Sequence, residues 1–216
     1  MRKLIYLLIL IFPLFFFSGC GKKSDQNNNL ITNTMNDQNI SPTPAVKGIS
    51  TPEMLLIKGK KYSVILKTSL GDITVSLNSE ETPITANNFY SLAKNKFYDN
   101  TIFHRTIKGF MIQGGDPKGD GTGSPGYKFN DEPFTGEYEK GTIAMANSGP
   151  NTNGSQFFIM HQDYPLPKNY VIFGKVTEGL DVVDKIATAP VETNQFGEAS
   201  KPVAPVKILS AEVVEK

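Results

Sequence analysis

The side chains able to do chemistry are sparse. The 216-residue chain holds two histidines, His104 and His161, and one cysteine, Cys20. None has the paired spacing that zinc ligands need, so no metal site is expected. A glycine-rich run, Gly114-Gly115-Asp116-Pro117-Lys118-Gly119-Asp120-Gly121-Thr122-Gly123, invites a phosphate or calcium loop. It lacks a Gly-Lys-Ser/Thr ending, and its acidic residues miss the calcium-loop positions and reach no closing glutamate. Ser155 lies in no Gly-x-Ser-x-Gly elbow, which removes the usual setting of a serine hydrolase. Arg105, in Phe103-His104-Arg105, offers a permanently charged, rigid fork of donors. Taken alone it reads as a solvated strand arginine in a salt bridge. No cofactor is implied.

Many short elements must position these groups. From Tyr62 two runs alternate with period two, the second setting Ile73, Val75 and Leu77 between Asp72, Thr74 and Ser76. Joined by Ser69-Leu70-Gly71, they predict a β-hairpin. Thr82-Pro83 supplies an N-cap and a first-position proline for a helix bearing Ala86, Phe89, Tyr90 and Ala93. Further strands are predicted over 102–106, 110–113, 142–146, 156–161, 171–176 and 206–213, with a second helical stripe at Leu180, Val183, Ile186 and Ala187. The pattern suggests an antiparallel barrel with helices over its ends. No internal repeat and no strand-helix alternation points to a parallel sheet. The length suits one core with appendages, and 22 basic against 21 acidic residues give no field for nucleic acid.

The N-terminus reads as an export signal. After Met1, Arg2 and Lys3 give a basic start, and residues 4–17 are apolar apart from Tyr6 and Pro13. The run stops at Ser18, short of the roughly 20 residues that cross a bilayer. Phe17-Ser18-Gly19-Cys20 resembles the lipobox of bacterial lipoproteins, with Phe17 where leucine is usual. A lone cysteine excludes an internal disulfide framework; by this resemblance the Cys20 thiol carries a diacylglyceryl group, and several acyl chains on that residue anchor the protein stably. After it, stretches such as Asp25-Gln26-Asn27-Asn28-Asn29 and Ser41-Pro42-Thr43-Pro44 have too few large apolar residues to offset ordering entropy. The expected organisation is a signal peptide over 1–19, lipidated Cys20 and a flexible linker over 20–58, and a folded domain over 59–216. That predicts an extracytoplasmic protein, lipid-anchored to a bacterial membrane. Nothing points beyond a monomer.

Three segments carry a family resemblance: Phe103-His104-Arg105 with Gly109-Phe110-Met111-Ile112-Gln113-Gly114-Gly115-Asp116; Met145-Ala146-Asn147; and Gly149-Pro150-Asn151-Thr152-Asn153-Gly154-Ser155-Gln156-Phe157-Phe158-Ile159. In order and spacing, from about Tyr62 to Val213, the chain resembles a cyclophilin. The resemblance implies a mainly β fold, a closed eight-stranded antiparallel barrel capped by two α-helices. It also implies a peptidyl-prolyl cis-trans isomerase acting on proline-containing peptides and unfolded exported proteins. The alternative is a module that binds proline segments, with incidental turnover.

By the same resemblance Arg105 is the catalytic residue. Phe110, Met111, Phe158 and Leu166 would form an apolar socket for the proline ring. Gln113 and the main chain of Asn147 would hold the substrate backbone, with Ala146 and Gln156 lining the groove. Gln156 also reads as an internal bracket for loop backbone groups. Gly121 would let substrate backbone approach closely. The chain departs from the family between Ile159 and Phe173. Pro165 stands where many members carry tryptophan, which argues against strong cyclosporin binding, and Tyr170 replaces a common pocket histidine while keeping an aromatic wall.

Overall fold

The computed structural model describes residues 51–215. The expected signal peptide, Cys20 and most of the expected linker lie outside them. The first hairpin forms as expected. In β1 (Tyr62–Thr68) and β2 (Gly71–Leu77) buried and half-exposed positions alternate, and Val64, Leu66, Ile73 and Val75 are fully buried. One face of each strand therefore enters the core.

Helix α1 (Pro83–Lys94) starts at the expected proline, but its capping group comes from elsewhere. The Thr82 hydroxyl donates to the Ile172 carbonyl at 3.2 Å. Glu132 caps instead: its carboxylate accepts from the Ile84 and Thr85 amides at 2.9 and 2.6 Å. Phe89 meets Tyr98, Phe157 and Phe173 with ring centroids 5.1 to 5.2 Å apart. Asn87 bonds Glu53 and Leu55, so these two residues also pack on the domain.

The remaining elements are β3 (Arg105–Ile107), β4 (Met111–Gly114), β5 (Thr142–Met145), β6 (Phe157–Met160), β7 (Ile172–Glu178), α2 (Leu180–Ala187), β8 (Val191–Thr193), β9 (Ala199–Pro202) and β10 (Ile208–Glu215). Eight strands form one antiparallel sheet in the order β10-β1-β2-β7-β5-β6-β4-β3. The expected closed barrel needs correcting: the sheet curls into a half-barrel whose edge strands, β10 and β3, do not pair. β3 is too short to complete a ladder, and residues 101–103 bridge the gap. Phe103 N donates to Val206 O at 3.0 Å, and Ile208 N to Thr101 O at 2.8 Å. Hairpin β8–β9 forms a separate two-stranded sheet that the sequence pattern did not signal.

Candidate active site

Cross-strand register builds the site. Arg105 pairs with Gln113, Gln113 with Phe158, and Phe158 with Ala144, so these four residues occupy one row on one face of β3, β4, β6 and β5. Two residues along, Ile107, Met111 and Met160 form the next row on that face. The alternate residues Ile112, Ile143, Phe157 and Ile159 enter the main core. Strands β5 and β6 are therefore buried on both faces, which makes Phe157-Phe158-Ile159-Met160 a continuous apolar run.

The outer face carries a second apolar cluster. Met111, Phe158, Tyr138, Ala144, Met160 and Ile172 are buried in it, and Phe110, Phe134, Ala146, Leu166 and Tyr170 pack around them half-exposed. All six apolar residues expected at the site thus meet: Phe110, Met111, Ala146, Phe158, Leu166 and Tyr170. Phe158 and Tyr170 are edge-on at 5.6 Å, and Phe110 lies 4.7 Å from Tyr164. Tyr138 was not anticipated. Its hydroxyl donates to Tyr170 O at 2.8 Å and accepts from Tyr170 N at 3.2 Å, fixing the loop that carries the aromatic wall. Burial pushes the Tyr138 pKa up, so this hydroxyl stays protonated.

A polar relay runs beside the cluster. Arg105 Nη1 donates to Gln113 Oε1 at 3.3 Å, and Gln113 Nε2 to Gln156 Oε1 at 3.0 Å. Gln156 Nε2 donates to the carbonyls of Gly121 and Gly123 at 3.0 and 2.9 Å. Gln156 is thus the loop bracket, and it also lines a cleft of about 380 Å³ with Gln113, Gly121, Ala146 and Asn147. Gly121 has φ +89, and a Cβ there would meet nothing nearer than His104 Nε2 at 4.0 Å. Backbone conformation, not crowding from the protein, is what calls for glycine there. The buried Asp116 carboxylate shapes this loop, accepting from Lys118 N at 2.7 Å and Gly121 N at 2.6 Å. Asn147 donates through Nδ2 to Asn169 O at 2.8 Å, tying the groove floor to the Tyr170 side.

Arg105 has one partner the sequence did not foreshadow. Its Nε and Nη2 donate to Oε2 and Oε1 of Glu198, each at 2.7 Å. Hydrogen bonds from Arg105 hold the Glu198 carboxyl below the usual carboxylate range. In the residue directly before β3, the ring nitrogens of His104 are buried with no hydrogen-bond partner, and burial pushes the His104 pKa down.

The family model "Cyclophilin type peptidyl-prolyl cis-trans isomerase/CLD" matches residues 63–213. The chain is 49% identical over 152 residues to the peptidyl-prolyl cis-trans isomerase CYP18-1 of Arabidopsis thaliana, spanning 68% of this chain and 92% of that one. It is 41% identical over 189 residues to the probable peptidyl-prolyl cis-trans isomerase B of Mycobacterium tuberculosis, spanning 79% of this chain and 61% of that one. A crystal structure of a cyclophilin type isomerase from Cryptosporidium parvum superposes with TM-score 0.66 at 36% identity, covering 72% of this chain and 99% of that chain. A structure of that protein in the presence of the dipeptide Ala-Pro gives TM-score 0.65 at 36% identity, covering 71% and 99%. The chain belongs to the cyclophilin family and is a peptidyl-prolyl cis-trans isomerase.

Proposed function

We propose that Arg105 is the catalytic group of this isomerase and that the domain, lipid-anchored through Cys20, speeds the folding of exported proteins. Rotation about a peptide bond meets a barrier of about 18–20 kcal/mol from amide resonance. Before proline it takes tens to hundreds of seconds without a catalyst. No bond to the substrate need form; the enzyme must favour the twisted transition state over both planar states. Twisting decouples the nitrogen lone pair from the carbonyl, and a fixed cationic donor then bonds to that pair better than to the planar amide.

The carrying observation is the row of Arg105, Gln113 and Phe158, which sets a guanidinium beside an apolar socket. The Arg105 side chain keeps about 32% of its surface exposed, within reach of a peptide. Phe110, Met111, Phe158, Leu166 and Tyr170 receive the proline ring; Gln113, Asn147, Ala146 and Gln156 line the path of the backbone, with Gly121 at its edge. The Ala-Pro dipeptide used with the Cryptosporidium parvum relative supports a proline-containing ligand. Residues 1–20 support export and lipidation at an extracytoplasmic membrane face, and the domain acts as a monomer.

A protease-coupled isomerisation assay with a proline tetrapeptide tests the role of Arg105. Arg105→Ala should lose at least about a hundredfold in kcat/KM; an unchanged rate in a folded variant would reject it. Detergent partitioning tests the anchor: Cys20→Ala should move from the detergent to the aqueous phase, and equal partitioning would reject lipidation.

A further inference from the structure

We propose that Glu198, carried on the β8–β9 hairpin, is a positioning residue that fixes the Arg105 guanidinium in its catalytic orientation. The inference rests on the catalytic assignment of Arg105 above. The contact is a bidentate fork: Nε and Nη2 of Arg105 each donate to a separate carboxylate oxygen at 2.7 Å. Such a pair fixes direction as well as distance.

The division of donors matters. Glu198 takes the side edge of the guanidinium, Nε and one hydrogen of Nη2. Gln113 Oε1 takes one hydrogen of Nη1 at 3.3 Å. The other Nη1 hydrogen has only a weak acceptor, Met111 Sδ at 3.7 Å. The guanidinium therefore keeps one uncommitted hydrogen on Nη2 and one weakly committed hydrogen on Nη1. Without Glu198 the long side chain would be held only by the Nη1 contacts to Gln113 and Met111, with its rotamers free to spread.

The hairpin is built to deliver this carboxylate. Asn194 Oδ1 accepts from the amides of Phe196 and Glu198 at 2.8 and 3.1 Å, and Asn194 Nδ2 donates to Ser200 Oγ at 3.1 Å. Asn194 N donates to Glu198 O at 2.8 Å, and Gly197 takes φ +83 to complete the turn. Ser200 is buried, and β9 packs on β3, the strand that bears Arg105. The ion pair itself is too exposed to add much to stability, with 32% and 39% of the two side-chain surfaces accessible. Its consequence is orientation, and misplacing a catalytic group costs turnover before it costs binding.

The test is isomerisation of a proline tetrapeptide by the full chain in detergent, comparing wild type, Glu198→Ala, Glu198→Gln, Arg105→Ala and Glu198→Ala with Arg105→Ala. Glu198→Ala should lower kcat by roughly tenfold, with KM within about twofold and an unchanged thermal midpoint. Glu198→Gln keeps one strong acceptor and should recover part of the rate. In the Arg105→Ala background, Glu198→Ala should cause no further loss. The inference is overturned by unchanged kcat, by a loss carried wholly in KM, or by an equal further loss without Arg105. A rise in kcat would overturn it too, showing that the carboxylate competes with substrate. If Arg105→Ala itself matches wild type, the catalytic assignment fails; if only the Glu198 variants match wild type, that assignment stands and this inference alone falls.

Discussion

Gln156 shows how one side chain can serve both the scaffold and the groove. Its amide joins Gln113 to the carbonyls of Gly121 and Gly123, so the glycine loop and the Arg105 row share one relay. Gln156→Ala leaves two loop carbonyls and Gln113 Nε2 without this partner. Amide exchange of residues 121–124 should speed up by roughly fivefold, corresponding to about 1 kcal/mol for a lost hydrogen bond; unchanged exchange would count against the relay. Most of the site was legible residue by residue because its members lie within three contiguous motifs. Arg105 is the strand arginine in a salt bridge that the residue alone suggested, and it also sits beside the apolar cluster proposed to receive the proline ring. Glu198 was not legible. It lies 93 residues from Arg105, and only the folded register brings them together.

At the level of elements, strands with clear alternation were found and polar ones were missed. β1 and β2 bury every second side chain, a pattern that can be read directly. β8 and β9 bury only Ser200 and Pro202, so no apolar period marks them. The start of α1 was legible from Thr82-Pro83, but its cap was not, because the carboxylate comes from Glu132, about fifty residues downstream. Glu132→Ala removes the acceptor for two first-turn amides. It should destabilise the domain by about 1 kcal/mol, in the range of lost N-caps, measured as a lower urea midpoint at constant slope. A change within error would show that water satisfies those amides equally well.

At the scale of the whole molecule, the family's barrel appears as a curled half-barrel whose open edge is spanned by residues 101–103, so the chain just before Arg105 also fastens β10. The next residue after that segment is His104, whose pKa burial lowers; burial also lowers that of His161. In the unfolded chain a histidine takes up its proton near 6.5, while the folded protein resists protonation until lower pH. The unfolded state then holds more protons, so stability falls as pH drops below about 6.5. The urea midpoint should decrease between about pH 7.5 and about pH 5.5, and less steeply in His104→Gln. A midpoint that rises on acidification would contradict the assignment. Glu198, with its lowered pKa, contributes stability that is lost only in the more acidic carboxylate range.

The central claim is that Arg105 acts on the twisted bond and does not merely hold the peptide. Exchange spectroscopy of an Ala-Pro peptide at equilibrium separates the two, because it reads cis-trans interconversion and binding in one sample. With Arg105→Ala, peptide resonances should still shift on titration with an affinity within a few-fold of wild type, while the accelerated exchange cross-peaks disappear. Cross-peaks that persist at the wild-type rate would contradict the account, as would exchange lost only in proportion to binding.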